Sequence, residues 1–247
     1  MRQGVLLALV GGAVFVAVGV ATLPASLLVS RLPPDVALQG VGGSVWNGGA
    51  TEFRLQGVPL GALAWTVQPA ELLRGRIAYR VDLRRADGFV RGVVATGFGG
   101  GAITARDVVL QLPLTTLSPQ TAATAWRGDL AGTVPSARIE GGWPVAASGT
   151  FTMSNLQPPG AALRVGSYAL EVDPEATTPQ QIVGRVRDLD APLVVRAQLI
   201  VRRDRTYQLE GDVTPKPGAP REVADTVAFL GLPDAQGRRQ FTITGSF

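Results

Sequence analysis

The spacing of apolar residues divides the chain into an N-terminal stretch without alternation and a long remainder in which apolar and polar residues alternate. No charged residue occurs from Gln3 to Ser30, and Val5 to Leu23 is a nearly unbroken run of Val, Leu, Ala, Gly and Phe. A helix of this length, rising ~1.5 Å per residue, approaches the ~30 Å hydrocarbon core of a bilayer. The pattern predicts an N-terminal transmembrane helix across residues 5–23, within a membrane anchor of residues 1–30.

A cleaved secretory signal is the alternative interpretation of this segment, with Gly19-Val20-Ala21 as its cleavage site. The apolar stretch is long for a signal and continues past Pro24 through Val29, which favours an uncleaved anchor. Arg2 precedes the segment and Arg31 follows it, so the positive-inside rule gives only a weak preference for a cytoplasmic N-terminus. A single pass then places residues 31–247 on the far side of the membrane.

Beyond the anchor, the apolar residues recur with a period of two, which is typical of half-buried β-strands. Ile77, Tyr79, Val81 and Leu83 fall on one face of such a strand. Similar segments occur at 51–56, 107–112, 168–172, 193–201, 206–213 and 240–244, separated by turns rich in Gly and Pro.

The predicted fold is therefore mainly β: an antiparallel all-β domain of residues 31–247, arranged as a curved sheet or a sandwich. Short helices are predicted at Glu222–Leu230, at Pro69–Leu73 and from Leu114 through Ala125. A weak division near residues 157–162, around Pro158-Pro-Gly160, is the alternative to one continuous domain.

The amino-acid composition excludes several kinds of catalytic and metal site in this domain. The 247 residues include no histidine and no cysteine, which excludes Ser-His-Asp and Cys-His nucleophiles and zinc sites built on nitrogen or sulfur. The net charge is +4, but the arginines are scattered and interleaved with acids, unlike the basic patch of a nucleic-acid reader. We therefore expect no nucleic-acid partner.

No motif supplies a replacement for the missing imidazole and thiol. Thr96-Gly-Phe-Gly-Gly-Gly-Ala102 lacks the Lys and Ser/Thr of a phosphate-binding loop and is predicted as a turn. Asp82 with Asp87 and Asp188 with Asp190 are the closest carboxylate pairs, and neither spacing defines a catalytic dyad. The sequence predicts no enzyme, no catalytic or metal-binding residue and no cofactor, although an exported enzyme using carboxylates alone stays open.

Two tryptophan segments are more distinctive. Trp46 lies in Gly43-Ser-Val-Trp-Asn-Gly48-Gly-Ala50, and Trp65 lies in Leu60-Gly61-Ala-Leu63-Ala-Trp65, four residues before Pro69. Flanking glycines let backbones approach a large ring, so both tryptophans are predicted as core anchors of an N-terminal β unit. Direct contact with a partner is the alternative role.

These segments, with Pro69-x-x-Leu72-Leu73, resemble the N-terminal signature of the type II secretion system protein N family. The ending Leu230-Gly-Leu-Pro-Asp-x-x-Gly237 followed by Phe241-Thr-Ile-Thr-Gly245 is similar to that family's C-terminal pattern. The motif residues carried over, as structural or partner-contact positions, are Trp46, Gly48, Gly61, Leu63, Trp65 and Pro69.

The resemblance implies a non-enzymatic accessory or scaffold component of the bacterial type II secretion system, without catalytic residues or cofactor. It implies a single-pass protein of the bacterial inner membrane, whose periplasmic β domain contacts other inner-membrane and periplasmic secretion proteins. The alternative is an AsmA-like lipid-binding or lipid-transfer protein of the cell envelope, in which an apolar β groove shields acyl chains and lipid is the ligand.

Overall fold

The computed structural model describes residues 22–29, 32–116, 126–159 and 164–246, and the mainly β, antiparallel fold with few helices is confirmed. The chain divides into two compact units, residues 1–86 and residues 87–247. Most of the predicted anchor and residues 160–162 of the predicted division lie outside the described residues. Within the described part, no helix has the length and apolar character needed to cross a bilayer.

The first unit is an antiparallel sheet with two short helices. Strands follow the order β1-β3-β4-β5, and β2 pairs with β3. Its elements are α1 (Ser26–Val29), β1 (Val36–Gln39), β2 (Gly42–Gly43), β3 (Asn47–Leu55), β4 (Val58–Val67), α2 (Pro69–Leu72) and β5 (Arg76–Arg85).

The second unit is a longer antiparallel meander in which each strand pairs with the next one along the chain. No second sheet occurs among the described residues of this unit, so the curved sheet rather than the sandwich describes it. Its elements are β6 (Gly88–Gly97), β7 (Ile103–Pro113), a 3₁₀ turn (Leu114–Thr116), β8 (Arg127–Glu140), β9 (Trp143–Gln157), β10 (Gly166–Val172), β11 (Gln181–Asp190), β12 (Leu193–Arg202), β13 (Thr206–Pro215), α3 (Arg221–Ala228) and β14 (Arg239–Ser246).

Register gives this second sheet one apolar face. Leu170 pairs with Phe151 and Tyr168 pairs with Met153, so β9 and β10 present their large side chains on the same side. The same alternation continues through β11, β12 and β13, where Leu199 is opposite Leu209. Thr133, Thr150 and other polar residues occupy the opposite face.

Helix α3 covers one end of that apolar face. Its Val223 and Val227 are buried, and Val227 belongs to a core cluster with Tyr168, Val195 and Val213. The i, i+4 spacing of the two valines on a helix turns both toward the sheet. The helix predicted at 222–230 is thus present at Arg221–Ala228, and the turn predicted at Pro69 is α2. Of the helix predicted from Leu114 through Ala125, the structure has the 3₁₀ turn, while residues 117–125 lie outside the described residues.

Candidate functional site

Trp65 is the centre of the site formed by the family motif in the first unit. It lies in β4, is only 5% exposed, and packs with Ala25 and Ala50. Its indole N–H donates a hydrogen bond to the carbonyl of Ser44 at 3.2 Å. Because a buried indole N–H needs an acceptor, this contact fixes both the depth and the orientation of the ring.

Glycines of the motif create the space that this ring occupies. Gly48 in β3 is directly opposite Trp65 in β4, and a Cβ on Gly48 would lie 2.8 Å from the ring atom Cζ2. That separation is shorter than any ordinary carbon–carbon contact, so no larger residue fits without displacing the ring. The glycine-tryptophan spacing in the motif is therefore explained by packing across one strand pair.

The same glycine hairpin holds residues at the end of the apolar run, inside the segment predicted as the anchor. The backbone N–H of Ala25 donates to the carbonyl of Gly43 at 3.2 Å, and Val45 N–H donates to the carbonyl of Leu23 at 2.9 Å. The side chain of Ala25 is 1% exposed and contacts the tryptophan cluster. Ala25 is thus part of the packed core of the first unit, whereas Thr22 and Pro24 are exposed. Thr22 and Leu23, predicted as the end of the membrane helix, are not helical in the structure.

The remaining motif residues have separate local roles. Trp46 is half-buried in the turn before β3, and its carbonyl accepts a hydrogen bond from Val67 N–H at 2.7 Å. Leu63 is opposite Ala50 and packs against the Trp65 cluster. Gly61 has φ +102°, where its missing Cβ avoids the carbonyl of Arg84. Pro69 occupies the start of α2, where its fixed φ suits a first helical turn.

Glu71 is the only buried charged residue among the described residues. Its carboxylate accepts from Arg74 at 3.1 Å and pairs with Arg76 at 3.0 Å, and both arginines are substantially exposed. A buried carboxylate with two cationic partners is a satisfied structural ion pair. This ion pair connects α2 with β5, and the paired carboxylate is not available as a general acid or base.

The apolar face of the second unit contains the other candidate site. An apolar cavity of about 280 Å³ lies on it, with walls from β8 through β12. We call this cavity the trough. Its wholly apolar lining includes Val134, Pro144, Phe151, Leu170, Ile182 and Leu199. Its lining suits hydrocarbon, because removing apolar surface from water is favourable.

A polar group marks the other end of this face, near α3. Lys216 donates to Asp188 at 2.7 Å, and the backbone N–H of Val195 donates to the same carboxylate at 3.0 Å. Burial acts to raise the pKa of Asp188, but the contacts with Lys216 and Val195 hold that pKa below its ordinary value. Burial, with a smaller effect of Asp188, raises the pKa of Tyr168 to about 12.

Asp82, one of the carboxylates considered from sequence, and Asp173 are each paired with a nearby cation. Asp82 pairs with Arg84 at 2.7 Å, and Asp173 pairs with Arg185 at 2.6 Å. The Arg185 contact lowers the pKa of Asp173, helped by backbone N–H donors. Among the described residues, no three acidic side chains gather in a group that could hold a metal ion.

Sequence reasoning did not identify Ala25 or the walls of the trough. Ala25 follows an apolar run without a break, so its pattern is the same as that of a membrane segment. The trough draws its walls from β8 and β9, whose Gly, Ala, Ser and Thr residues weaken the alternation signal. A ladder register is needed before Phe151 and Leu170 can be placed side by side.

The known proteins that this chain resembles all carry the description of one family. The sequence profile of the family described as "Type II secretion system (T2SS), protein N" matches residues 34–242. Type II secretion system protein N of Vibrio cholerae serotype O1 is 28% identical over 233 residues, which cover 90% of each chain. The protein of the same name from Aeromonas hydrophila is 27% identical over 253 residues, covering 96% of each. No solved structure matches. The match extends over most of the chain and includes the motif residues around Trp65: the chain belongs to the type II secretion system protein N family.

Proposed function

We propose that this protein is a non-enzymatic accessory component of type II secretion, held at the bacterial inner membrane with its β units in the periplasm. The observation that carries the proposal is the family match across residues 34–242, which makes the chain a type II secretion component. A role in contact with other proteins, rather than in catalysis, is supported because Glu71 in the first unit and Asp188 in the second are both held in ion pairs.

Anchoring rests on the apolar segment from Val5 to Leu23 and on the docking of the residues next to it. Leu23 and Ala25 hydrogen-bond to the β2–β3 hairpin and Ala25 packs against Trp65, so the folded unit begins at the C-terminal end of the apolar run. The cysteine-free chain allows a clean topology test. Thr51→Cys, on an exposed position of β3, should react with a membrane-impermeant maleimide in cells whose outer membrane is permeabilised. Labelling only after lysis would contradict the periplasmic placement.

The N-terminus can be tested in the same cells. Intact mass measurement of the membrane-purified chain should find residues 1–21 still present, because the proposed anchor is uncleaved. A mature chain starting after Ala21, recovered from the soluble periplasm, would favour the secretory-signal alternative.

Contact with other secretion components is proposed to use exposed strand edges, through addition of a partner strand. β14 is the last strand of the second sheet, and it carries no charge from Gln240 to Ser246. Such an edge lacks the lysines and prolines that usually prevent pairing with another chain. Trp65 is too deeply buried for direct contact, whereas Trp46 is half-exposed beside it.

Crosslinking from matched threonines tests this contact. A photo-crosslinking amino acid replaces Thr242 on the edge strand β14 or Thr150 on the interior strand β9, both exposed. After capture from membranes, the Thr242 variant should yield adducts with inner-membrane or periplasmic secretion components, and the Thr150 variant should not. Equal adducts from both positions would reject the edge, and capture without any secretion component would reject the proposed function.

The family match favours the secretion component over an AsmA-like lipid-transfer protein. The structural condition for that alternative, an open apolar face, is met only in part, because α3 covers one end of the face.

A further inference from the structure

The proposed secretion role assigns no function to the part of the second unit's apolar face that α3 does not cover. Ladder register puts Leu170 beside Phe151, and Ile182 beside Val201, all facing the trough. α3 packs at the other end of the same face, against Tyr168. No described residue of this unit covers the trough, and an exposed apolar surface of this kind is typical of a binding site.

The trough is concave. Its walls come from β8 and β9 on one side of β10 and from β11 and β12 on the other. Two turns distant in sequence also come close to one another. A Cβ placed on Gly141, between β8 and β9, would lie 3.6 Å from Nη2 of Arg203, between β12 and β13.

Arg203 therefore places a cation at one end of the trough. Val201, two residues before it, and Pro144, three residues after Gly141, both line the cavity. The guanidinium lies between the strand ends that carry these two side chains.

No acid among the described residues neutralises this guanidinium. The nearest acid in sequence to Gly141 is Glu140, which pairs with Arg138 at 2.6 Å. Asp204 on the same turn accepts from the backbone and hydroxyl of Thr206 at 3.0 and 2.7 Å. Arg202 and Arg205 add to the positive charge of the turn. The trough thus has an apolar floor and a basic end, which together complement an amphiphile with an anionic head.

The shape and lining select hydrocarbon over peptide. An extended peptide would bury backbone N–H and C=O groups against a wall without polar atoms, and each unpaired group is costly. An α-helix satisfies its own backbone but is ~10–12 Å wide with side chains. A cavity of about 280 Å³ is at or below the lower end of small-ligand sites, and it suits one flexible chain.

We propose that the trough binds one acyl chain of an anionic phospholipid, whose phosphate contacts Arg203. This goes beyond the secretion role and requires no lipid transfer.

The test uses the full chain, purified from membranes in a sterol-based detergent without acyl chains. Phosphatidylglycerol with a photoactivatable group on one acyl chain is the probe, and labelled residues are located by mass spectrometry. Ala147→Trp fills the trough, whereas Ala146→Trp puts the same ring on the exposed side of the same strand. Both variants are first compared by near-UV circular dichroism, so that a folding defect is recognised.

Labels are expected on β9 to β12, and Ala147→Trp should reduce labelling by roughly tenfold while Ala146→Trp leaves it unchanged. Equal labelling of the two tryptophan variants, or labels confined to residues outside the trough, would overturn the proposal.

The contact between Arg203 and the lipid head group is tested by a substitution outside the apolar core. Arg203→Glu should weaken labelling by phosphatidylglycerol by roughly tenfold but leave labelling by a diacylglycerol with the same photoactivatable chain, which has no phosphate, unchanged. Arg196→Glu, on the exposed side of β12, should change neither. If Arg203→Glu has no effect, or reduces both lipids equally, the assignment of Arg203 to the phosphate is wrong.

Discussion

The two units differ in how far other parts of the chain cover the apolar side chains of their strands. In the first, Ala25 packs against Trp65 from outside the strands, and Trp65 is 5% exposed. In the second, among the described residues, α3 packs over Tyr168 and Val195, while the opposite end of that face lines the trough. Both use the same antiparallel ladders, so the difference arises from the segment that lies over each sheet.

A sheet with one apolar face becomes a closed core where another segment of the chain packs over that face. The first unit obtains its cover from the segment that leads out of the proposed anchor. In the second, α3 has eight residues, about 12 Å of helix at 1.5 Å per residue, which is too short to extend over five strands spaced ~4.8 Å apart.

Removing the large ring from the closed core gives the largest expected effect. Trp65→Ala should lower the free energy of unfolding by about 3–5 kcal/mol, because a deeply buried aromatic leaves a cavity. Trp126→Ala, at a position 48% exposed in the second unit, is the matched control and should cost less than about 1 kcal/mol. Denaturant titration measures both, and equal losses would contradict the closed core around Trp65.

The closed core also depends on a backbone conformation that favours glycine. Gly61→Ala should destabilise by about 2–3 kcal/mol, since φ is +102° and the added methyl would meet the carbonyl of Arg84. Gly42→Ala, where a methyl group meets nothing within 4 Å, should stay within about 0.5 kcal/mol. Thermal unfolding followed by circular dichroism distinguishes the two variants; similar melting temperatures would reject the role assigned to Gly61.

Weakening the cover of the second sheet should open its apolar face further. Val227→Ala removes two buried carbons and should cost about 1–2 kcal/mol, with increased binding of an apolar fluorescent dye under native conditions. Phe229→Ala, at a position 91% exposed just after the helix, is the control and should leave dye binding unchanged. An unchanged dye signal with Val227→Ala would mean that α3 does not limit access to this face.

The ion pair beside α3 should make the covered end sensitive to acid. The pKa of Asp188 is lowered in the folded state, so its stabilisation is present above the ordinary carboxyl pKa and lost as pH falls through the lowered value. Asp188→Asn should therefore reduce the melting temperature by roughly 2–6 °C at pH 7, and by less at pH 3. Asp234→Asn, which removes an exposed pair with Arg238, is the control. An equal loss at both pH values would contradict the linkage.

The smallest effect concerns the ionisation of Tyr168. Burial raises its pKa to about 12, so its neutral form stabilises the fold below pH 10 and this contribution is lost as pH rises through 12. Burial also raises the pKa of Tyr79, so absorbance titration at 295 nm should show a tyrosine titrating near pH 12 that Tyr168→Phe removes. A late transition that persists in the variant would assign it to another of the three tyrosines.

Strict alternation allowed much of the fold to be predicted. β5, β13 and β14 follow the period of two, and α3 follows the i, i+4 pattern of its valines. These signals are local, so neighbouring residues alone carry them.

β8 and β9 were not predicted, although they are the longest strands described. Gly132 is opposite Phe151, and a Cβ on Gly132 would lie 2.5 Å from Cδ1 of that ring. The glycine that weakens the strand pattern is thus required by a ring on the neighbouring strand. Likewise, the approach of Arg203 to Gly141 depends on curvature accumulated over several strands, which no local spacing encodes.

The docking of residues 22–25 determines how far the protein can reach. A flexible linker extends by up to ~3.3–3.6 Å per residue, so even ten residues would let a tethered domain search tens of ångströms of periplasm. Here Leu23, near the end of the apolar run proposed as the membrane helix, already accepts a hydrogen bond from Val45, between β2 and β3. Under the proposed topology the tether would have almost no free length. The first unit would then be confined to a thin layer at the bilayer surface, where its effective concentration toward other membrane-bound proteins would be high and a soluble partner would have to come to it.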